Sequence, residues 1–268
     1  MIIHNIDPVL VDFGLFQIRW YSVAYILGII LGWFYSIKII NSLSKKEGFE
    51  IVKAEEFDDF IIYLIFGIVF GGRLGYVIFY NFQYYSQNLL EIFKIWNGGM
   101  SFHGGLIGVL VAAIIFSKIK KTSFFKITDI VCCAAPIGLF LGRVANFING
   151  ELFGKISTMP WAVIFPEGNN IPRHPTQIYE AFLEGVVLFV LINFLAIKKQ
   201  FLKKTGHISG LFLISYSILR IFSEIFREPD KHLGYFFGYF SMGILLSLAT
   251  FIIGCLIIFF IKKNEQNN

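Results

Sequence analysis

The sequence is poor in charge and in cysteine, and each shortage excludes a class of protein. Only 15% of its 268 residues are charged, against roughly a quarter in soluble domains, so a cytosolic globular enzyme is excluded. Disorder is excluded too, because disordered chains are depleted in aromatic residues, which make up 18% here. Cys132, Cys133 and Cys255 lie in apolar runs, where we expect packing residues rather than a disulfide framework.

Apolar residues are abundant: they form 56% of the chain and give it a mean hydropathy of +0.69. A membrane-crossing helix needs about 20 mostly apolar residues, and seven stretches are long and apolar enough. They are residues 18–40, 57–79, 102–119, 127–147, 178–197, 208–226 and 240–261. The sequence therefore predicts an all-α, polytopic membrane helix bundle with seven transmembrane helices, in a single integral membrane domain over residues 1–268.

The basic residues between these stretches predict the orientation of the bundle. Alternate connections carry runs of lysine, whereas the opposite set, with the segment before Arg19, carries little positive charge. Basic residues mark cytoplasmic loops, so we expect the N-terminus outside and the C-terminus in the cytoplasm. These lysine runs also account for the formal net charge of +5 without a nucleic-acid partner. The runs are Lys45, Lys46 and Lys53; Lys118, Lys120, Lys121 and Lys126; Lys198, Lys199, Lys203 and Lys204; and Lys262 and Lys263.

The longest outside connection, about residues 148–177, is rich in proline. It contains Pro160, Pro166, Pro172 and Pro175, and the whole chain has only seven prolines. Prolines at this density disfavour regular helix. We therefore expect an ordered loop or a small extracytoplasmic cap.

Polar side chains of six predicted spans fall at one level, the outer half of the membrane. Charges at that depth cost about 2.5–3.5 kcal/mol each, so they pair with one another or serve a site. Internal salt bridges, such as Arg220 with Glu224 and Arg73 with a carboxylate, are one explanation. A binding site is the other explanation, because the carboxylates do not outnumber the arginines. A cavity lined by several arginines suits an anion, and the natural anion at this depth is a phospholipid headgroup. These residues are Arg19, Tyr21, Arg73, His103, Arg143, Asn146, Glu180, Glu184, Arg220 and Glu224.

Two stretches are more specific than general membrane packing: residues 96–108 (WNGGMSFHGGLIG) and 142–154 (GRVANFINGELFG). The second closely resembles the signature of the prolipoprotein diacylglyceryl transferase family. The resemblance extends to residues 19–21 (RWY), 173–180 (RHPTQIYE) and 220–230 (RIFSEIFREPD). The matching segments occur in the family's order and span almost the whole chain.

This resemblance implies a reaction, its substrates and its location. The diacylglyceryl group of phosphatidylglycerol would pass to the thiol of the lipobox cysteine in the signal peptide of an exported prolipoprotein. Glycerol 1-phosphate would be released. The reaction would take place among membrane lipids, at the outer face of the bacterial cytoplasmic (inner) membrane. No cofactor is implied, and the scattered histidines show no metal-ligand spacing.

The resemblance also implies roles for particular residues. Arg143 and Arg220 would bind the headgroup and stabilise the charge that grows on the departing phosphate. Glu224 would orient Arg220 from one helical turn away. His103 is the candidate base for the thiol proton. Alternatively, His103 only hydrogen-bonds backbone or lipid, the arginines lower the thiol pKa, and water or phosphate takes the proton.

Four further residues complete the expected headgroup site: Tyr21, Asn146, Glu151 and Gly154. Glu151 would orient Arg143 or bind a glycerol hydroxyl, unless it is an exposed acid at a helix end. Gly154 favours a tight backbone position. Tyr21 lies on a helical stripe that is typical of packing, and only the resemblance makes it a functional residue.

Two other functions compete with this one. A transporter or channel also buries arginine and glutamate, but transporter sites usually lie near the midplane between internal repeats. Here the polar level is the outer half of the membrane and no repeat is visible. Another lipid-headgroup transferase is not excluded by the residues alone. In either transferase we expect lipid and precursor to enter through a lateral gap between helices.

Overall fold

The computed structural model describes residues 2–14, 17–229, 234–236 and 238–267. Its helices are α1 (Trp20–Glu47), α2 (Ala54–Phe79), α3 (Phe82–Gln87), α4 (Phe102–Ile119), α5 (Phe124–Ile148), α6 (Thr176–Lys198), α7 (His207–Glu224) and α8 (Met242–Asn267). Helix α6 includes two π-helical stretches, Ala181–Val187 and Phe194–Lys198. The short 3-10 turns are Leu89–Phe93, Ile95–Asn97, Pro166–Gly168 and Phe201–Lys203. The strands are β1 (Ile2–Ile3), β2 (Val9–Asp12), β3 (Gln17–Arg19), β4 (Val163–Ile164) and β5 (Pro172–Arg173).

Within the described residues, six helices are long and apolar enough to cross a membrane: α1, α2, α4, α5, α6 and α8. Each overlaps a predicted span, which confirms a polytopic helical membrane protein. The remaining predicted span, residues 208–226, coincides with α7, which is 18 residues long. Arg220, Glu224 and four serines lie in α7, which is not among the six helices that are long and apolar enough. Seven crossings and their orientation therefore stay predictions.

The chain divides into two compact units. The first comprises Met1–Ser36 and Asp129–Asn268, and the second comprises Ile37–Thr128. The second unit is built on close contact between α2 and α4. A Cβ atom added to Gly108 would lie only 1.9 Å from the carbonyl oxygen of Gly67, and one on Gly71 would lie 2.4 Å from that of Gly104. Glycine at these positions lets the two backbones touch.

Arg73 in α2 pairs with main-chain carbonyls and with no carboxylate among the described residues, so that expectation is wrong. Its side chain is 3% exposed and lies over the Tyr85 ring, 5.1 Å from the ring centroid. It donates hydrogen bonds to five main-chain carbonyls. Short turns between residues 88 and 99 leave carbonyls outside any long helix, so acceptors are available there. The acceptors belong to Glu91, Ile92, Lys94, Gly98 and Gly99.

In the first unit, the segment between α5 and α6 forms a small sheet with the N-terminal residues. Strand β1 pairs in parallel with β4, and β4 pairs antiparallel with β5. His4 Nε2 donates to the carbonyl oxygen of Phe147, at 2.7 Å, and so ties this sheet to the end of α5. The place of this segment on the outer side of the membrane stays a prediction.

Candidate active site

Charged residues of three helices meet in the first unit. Arg143 lies in the last two turns of α5, Glu180 and Glu184 lie one turn apart in α6, and Arg220 and Glu224 lie one turn apart at the end of α7. A spacing of four residues puts each pair on one face of its helix. Arg227, three residues after the end of α7, joins the same cluster.

Glu180 is the centre of this cluster. Its side chain is 0% exposed and contacts three guanidinium groups. Oε2 lies 2.9 Å from Arg143 Nη1. Oε1 accepts hydrogen bonds from Arg220 Nη1 and, at 3.1 Å, from Arg227 Nη1. One carboxylate therefore links α5, α6, α7 and the segment after α7.

Glu184 is also 0% exposed but is held by one oxygen. Its Oε2 accepts from Nε of Arg143 at 3.1 Å and from Nη2 at 3.0 Å. Its Oε1 lies 3.7 Å from Arg220 Nη1 and has no hydrogen-bond partner among the described residues.

Glu224 forms the one-turn pair with Arg220 that the sequence predicts. Its Oε2 lies 2.7 Å from Arg220 Nη2. Its Oε1 accepts a hydrogen bond from the Ser241 hydroxyl at 2.8 Å. This hydrogen bond fixes the position of the carboxylate that pairs with Arg220. Groups fixed in this way keep Arg220 in one orientation, which an electrostatic site requires.

The arginines, and not the glutamates, supply the accessible part of the cluster. The side chains of Arg143, Arg220 and Arg227 are 16%, 10% and 10% exposed, whereas Glu180 and Glu184 are fully buried. Guanidinium groups backed by carboxylates present fixed positive charge and two-pronged donors to an anion. The arrangement can therefore bind a phosphate group and stabilise charge that develops on it.

The signature segment forms a tight turn directly after α5. The helix ends at Ile148, and Gly150 has a positive φ of +68°, which favours glycine. Glu151 Oε1 accepts from Asn146 Nδ2 at 2.7 Å and from Asn149 Nδ2 at 3.5 Å. Glu151 therefore orients Asn146 and not Arg143, whose carboxylate partners are in α6.

Residues at the start of α6 hold this turn in place. Gln177 Nε2 donates to the carbonyl oxygen of Glu151 at 2.6 Å, and Thr176 Oγ1 donates to that of Leu152 at 3.0 Å. A Cβ atom on Gly154 would lie 2.5 Å from the carbonyl oxygen of Phe226, so its backbone position is as tight as expected. Sequence reasoning missed Gln177 and Thr176 as supports, although both lie in the segment 173–180 that it singled out.

Asp129 is a third residue that sequence reasoning missed. Its fully buried carboxylate, in α5, accepts from the main-chain nitrogens of Gly206 and Ser209 and from the Ser209 hydroxyl, at 2.6–2.7 Å. It thus caps the N-terminus of α7 from another helix. No local pattern signals this contact, because the two partners are about eighty residues apart.

Two further predicted site residues, Tyr21 and His103, have aromatic neighbours. The Tyr21 ring packs against that of Tyr25, with centroids 5.1 Å apart. His103 belongs to the second unit, where it is exposed at the start of α4 and its ring lies 5.6 Å from that of Phe102. The roles of Tyr21 and His103 stay predictions. Asp230, the last residue of the predicted segment 220–230, lies outside the described residues.

A hydrogen-bonded group of aromatic residues joins Trp161, in the segment between α5 and α6, to His174 and Tyr179 at the start of α6. The Tyr179 hydroxyl accepts from Trp161 Nε1 at 2.6 Å and lies 3.1 Å from Nδ1 of His174. Burial and the charge of Lys155 lower the pKa of His174. A neutral imidazole can accept the Tyr179 proton at Nδ1.

These helices and the buried arginine–glutamate cluster define a polytopic membrane protein with a strongly charged site. Residues 8–260 match the family described as prolipoprotein diacylglyceryl transferase, and the chain belongs to that family.

Three relatives carry the name phosphatidylglycerol–prolipoprotein diacylglyceryl transferase. The protein from Rhodopseudomonas palustris is 47% identical over 94% of this chain and 88% of its own length. The Rickettsia canadensis protein is 46% identical over 95% of this chain and 96% of its own length. The Paramagnetospirillum magneticum protein is 47% identical over 93% of this chain and 91% of its own length.

Proposed function

We propose that this transferase moves the diacylglyceryl group of phosphatidylglycerol to the lipobox cysteine thiol of exported prolipoproteins. A thioether forms and glycerol 1-phosphate is released, which is the first step of bacterial lipoprotein maturation. The observation that carries the proposal is the partly accessible set of guanidinium groups, Arg143, Arg220 and Arg227, backed by fully buried Glu180 and Glu184. Such a set suits the phosphate of the donor lipid.

The reaction can be written from these groups. The cysteine sulfur attacks the glycerol carbon that bears the phosphate, a carbon–sulfur bond forms, and the carbon–oxygen bond to phosphate breaks. The electron pair of the broken bond stays on the phosphate oxygen, so negative charge grows beside Arg143 and Arg220. Fixed cations in a water-poor site supply several kcal/mol of transition-state stabilisation.

The thiol proton can leave by two routes. His103 can take it as a general base, or water or the departing phosphate can take it once Arg143 and Arg220 have lowered the thiol pKa. In both cases Asn146, held by Glu151 at 2.7 Å, together with Gly154 and Tyr21, completes the headgroup site.

The same proposal includes the protein's place in the cell. The chain forms a single integral membrane domain over residues 1–268 of the bacterial cytoplasmic (inner) membrane, with seven spans and its N-terminus outside. Residues 148–177 form the extracytoplasmic cap, and the active site faces outward. The six membrane-spanning helices and the alternating lysine runs support this arrangement.

The test uses purified protein in detergent with phosphatidylglycerol and a lipobox peptide. Arg143→Ala and Arg220→Ala should abolish both glycerol phosphate release and the gain in peptide mass. Lys120→Ala is the matched control, because Lys120 pairs with exposed Asp59 at 2.6 Å and should leave turnover unchanged. A Cys→Ser peptide should stay unmodified. Turnover in both arginine variants that equals wild type would contradict the proposed site.

A further inference from the structure

We propose that the Glu184 carboxylate occupies the position on Arg143 that the headgroup phosphate takes. Phosphatidylglycerol then binds by an exchange, in which its phosphate displaces this carboxylate from Arg143. This inference rests on the proposed function and assigns Glu184 a role in the binding step. Glu184 is thereby a residue that sets donor affinity by competing with the donor's own phosphate.

Arg143 contacts Glu184 through one edge of its guanidinium group, and that edge is also suited to binding a phosphate. Nε and Nη2 both donate to Glu184 Oε2, at 3.1 and 3.0 Å, while Nη1 is directed to Glu180 at 2.9 Å. A guanidinium group binds phosphate in two-pronged fashion through two neighbouring N–H groups. A phosphate that binds Arg143 through Nε and Nη2 must therefore displace Glu184.

Glu184 is easier to displace than Glu180. Glu180 contacts three arginines through both of its oxygens, so its removal would break contacts among three helices. Glu184 uses one oxygen on Arg143, and its other oxygen has no hydrogen bond among the described residues. Exchange at Glu184 therefore costs two hydrogen bonds, which the phosphate replaces.

A second cation is already placed to receive the displaced carboxylate. Arg220 Nη1 forms a long ion pair with Oε1 of Glu184, at 3.7 Å, and a small movement of the Glu184 side chain shortens it. Arg143 then pairs with the phosphate instead of Glu184, and Glu184 pairs with Arg220. Neither residue is left as an uncompensated buried charge, which would be strongly destabilising.

The test is equilibrium binding of phosphatidylglycerol to the purified full chain in detergent, with no peptide present. Glu184→Gln removes the competing negative charge and keeps the shape of the side chain. Since the phosphate then no longer competes with a charged carboxylate for Arg143, the variant should lower the Kd for phosphatidylglycerol by about tenfold, which is about 1.4 kcal/mol of binding free energy. Diacylglycerol, which has no phosphate, should bind wild type and variant alike.

Glu184→Asp provides a second variant should Glu184→Gln fold poorly. Its shorter side chain holds Arg143 less well, so binding should tighten in the same direction. A residue that only supports Arg143 would have the opposite effect, because its loss would weaken binding. Unchanged or weaker phosphatidylglycerol binding in both variants, at thermal midpoints near wild type, would overturn the exchange.

Failure of the exchange is distinguishable from failure of the proposed function. Diacylglyceryl transfer by wild type, together with no gain of affinity in the Glu184 variants, rejects the exchange alone. Lack of phosphatidylglycerol binding by folded wild-type protein rejects both.

Discussion

Replacement of Glu180 by glutamine should destabilise the folded protein strongly. The change keeps the size of the side chain but removes the carboxylate that contacts Arg143, Arg220 and Arg227. Removing one partner of a buried ion pair costs about 3–5 kcal/mol, because the opposite charge stays buried without compensation. For a chain of this size we expect the thermal midpoint to fall by roughly 6–20 °C.

Asp59→Asn is the matched control for this prediction. Asp59 also pairs with a cation, Lys120, at 2.6 Å, but the two side chains are 53% and 32% exposed. Exposed ion pairs contribute about 0–1 kcal/mol, so this variant should unfold close to wild type. The assay is thermal unfolding in one detergent, followed by intrinsic fluorescence. Equal midpoints for the two variants would refute the central position given to Glu180.

Three further predictions concern the residues that position the site. Asp129→Ala removes the cap of α7 and should cost about 1–2 kcal/mol, measured as a lower thermal midpoint; Asp59→Ala, on the surface, should show no such loss. Arg73→Lys keeps the charge but cannot reach five carbonyls, so amide hydrogen exchange should rise over residues 88–99; unchanged exchange would contradict its role. Because the pKa of His174 is lowered, its contribution to stability is fully present above pH of about 6.5 and is lost as pH falls through the lowered pKa. A His174→Gln variant should show a smaller loss of thermal midpoint on acidification, and an identical loss would contradict this prediction.

The membrane helices could be predicted from the sequence because the signal is local. A run of about 20 apolar residues is sufficient to define a span, and six predicted spans overlap helices that can cross a membrane. Helix α7 shows the limit of this signal. The residues that carry the site, Arg220 and Glu224, lie in α7, which is not among those six helices.

The pairing between helices could not be predicted in the same way. Arg220 and Glu224 are four residues apart, so helical geometry alone placed them together. The contacts of Glu180 depend on which helix faces which, and a single sequence does not contain that information. Arg73 shows a second difficulty. Its acceptors are main-chain carbonyls, and because every residue type has one, the sequence does not mark which residues will accept.

The mass of a lipobox peptide after incubation with the wild-type protein and phosphatidylglycerol tests the central claim most directly. The account predicts a gain of one diacylglyceryl group on the cysteine, with one glycerol phosphate released for each peptide modified. An unmodified peptide from folded wild-type protein, or a product that forms equally well without phosphatidylglycerol, would contradict it.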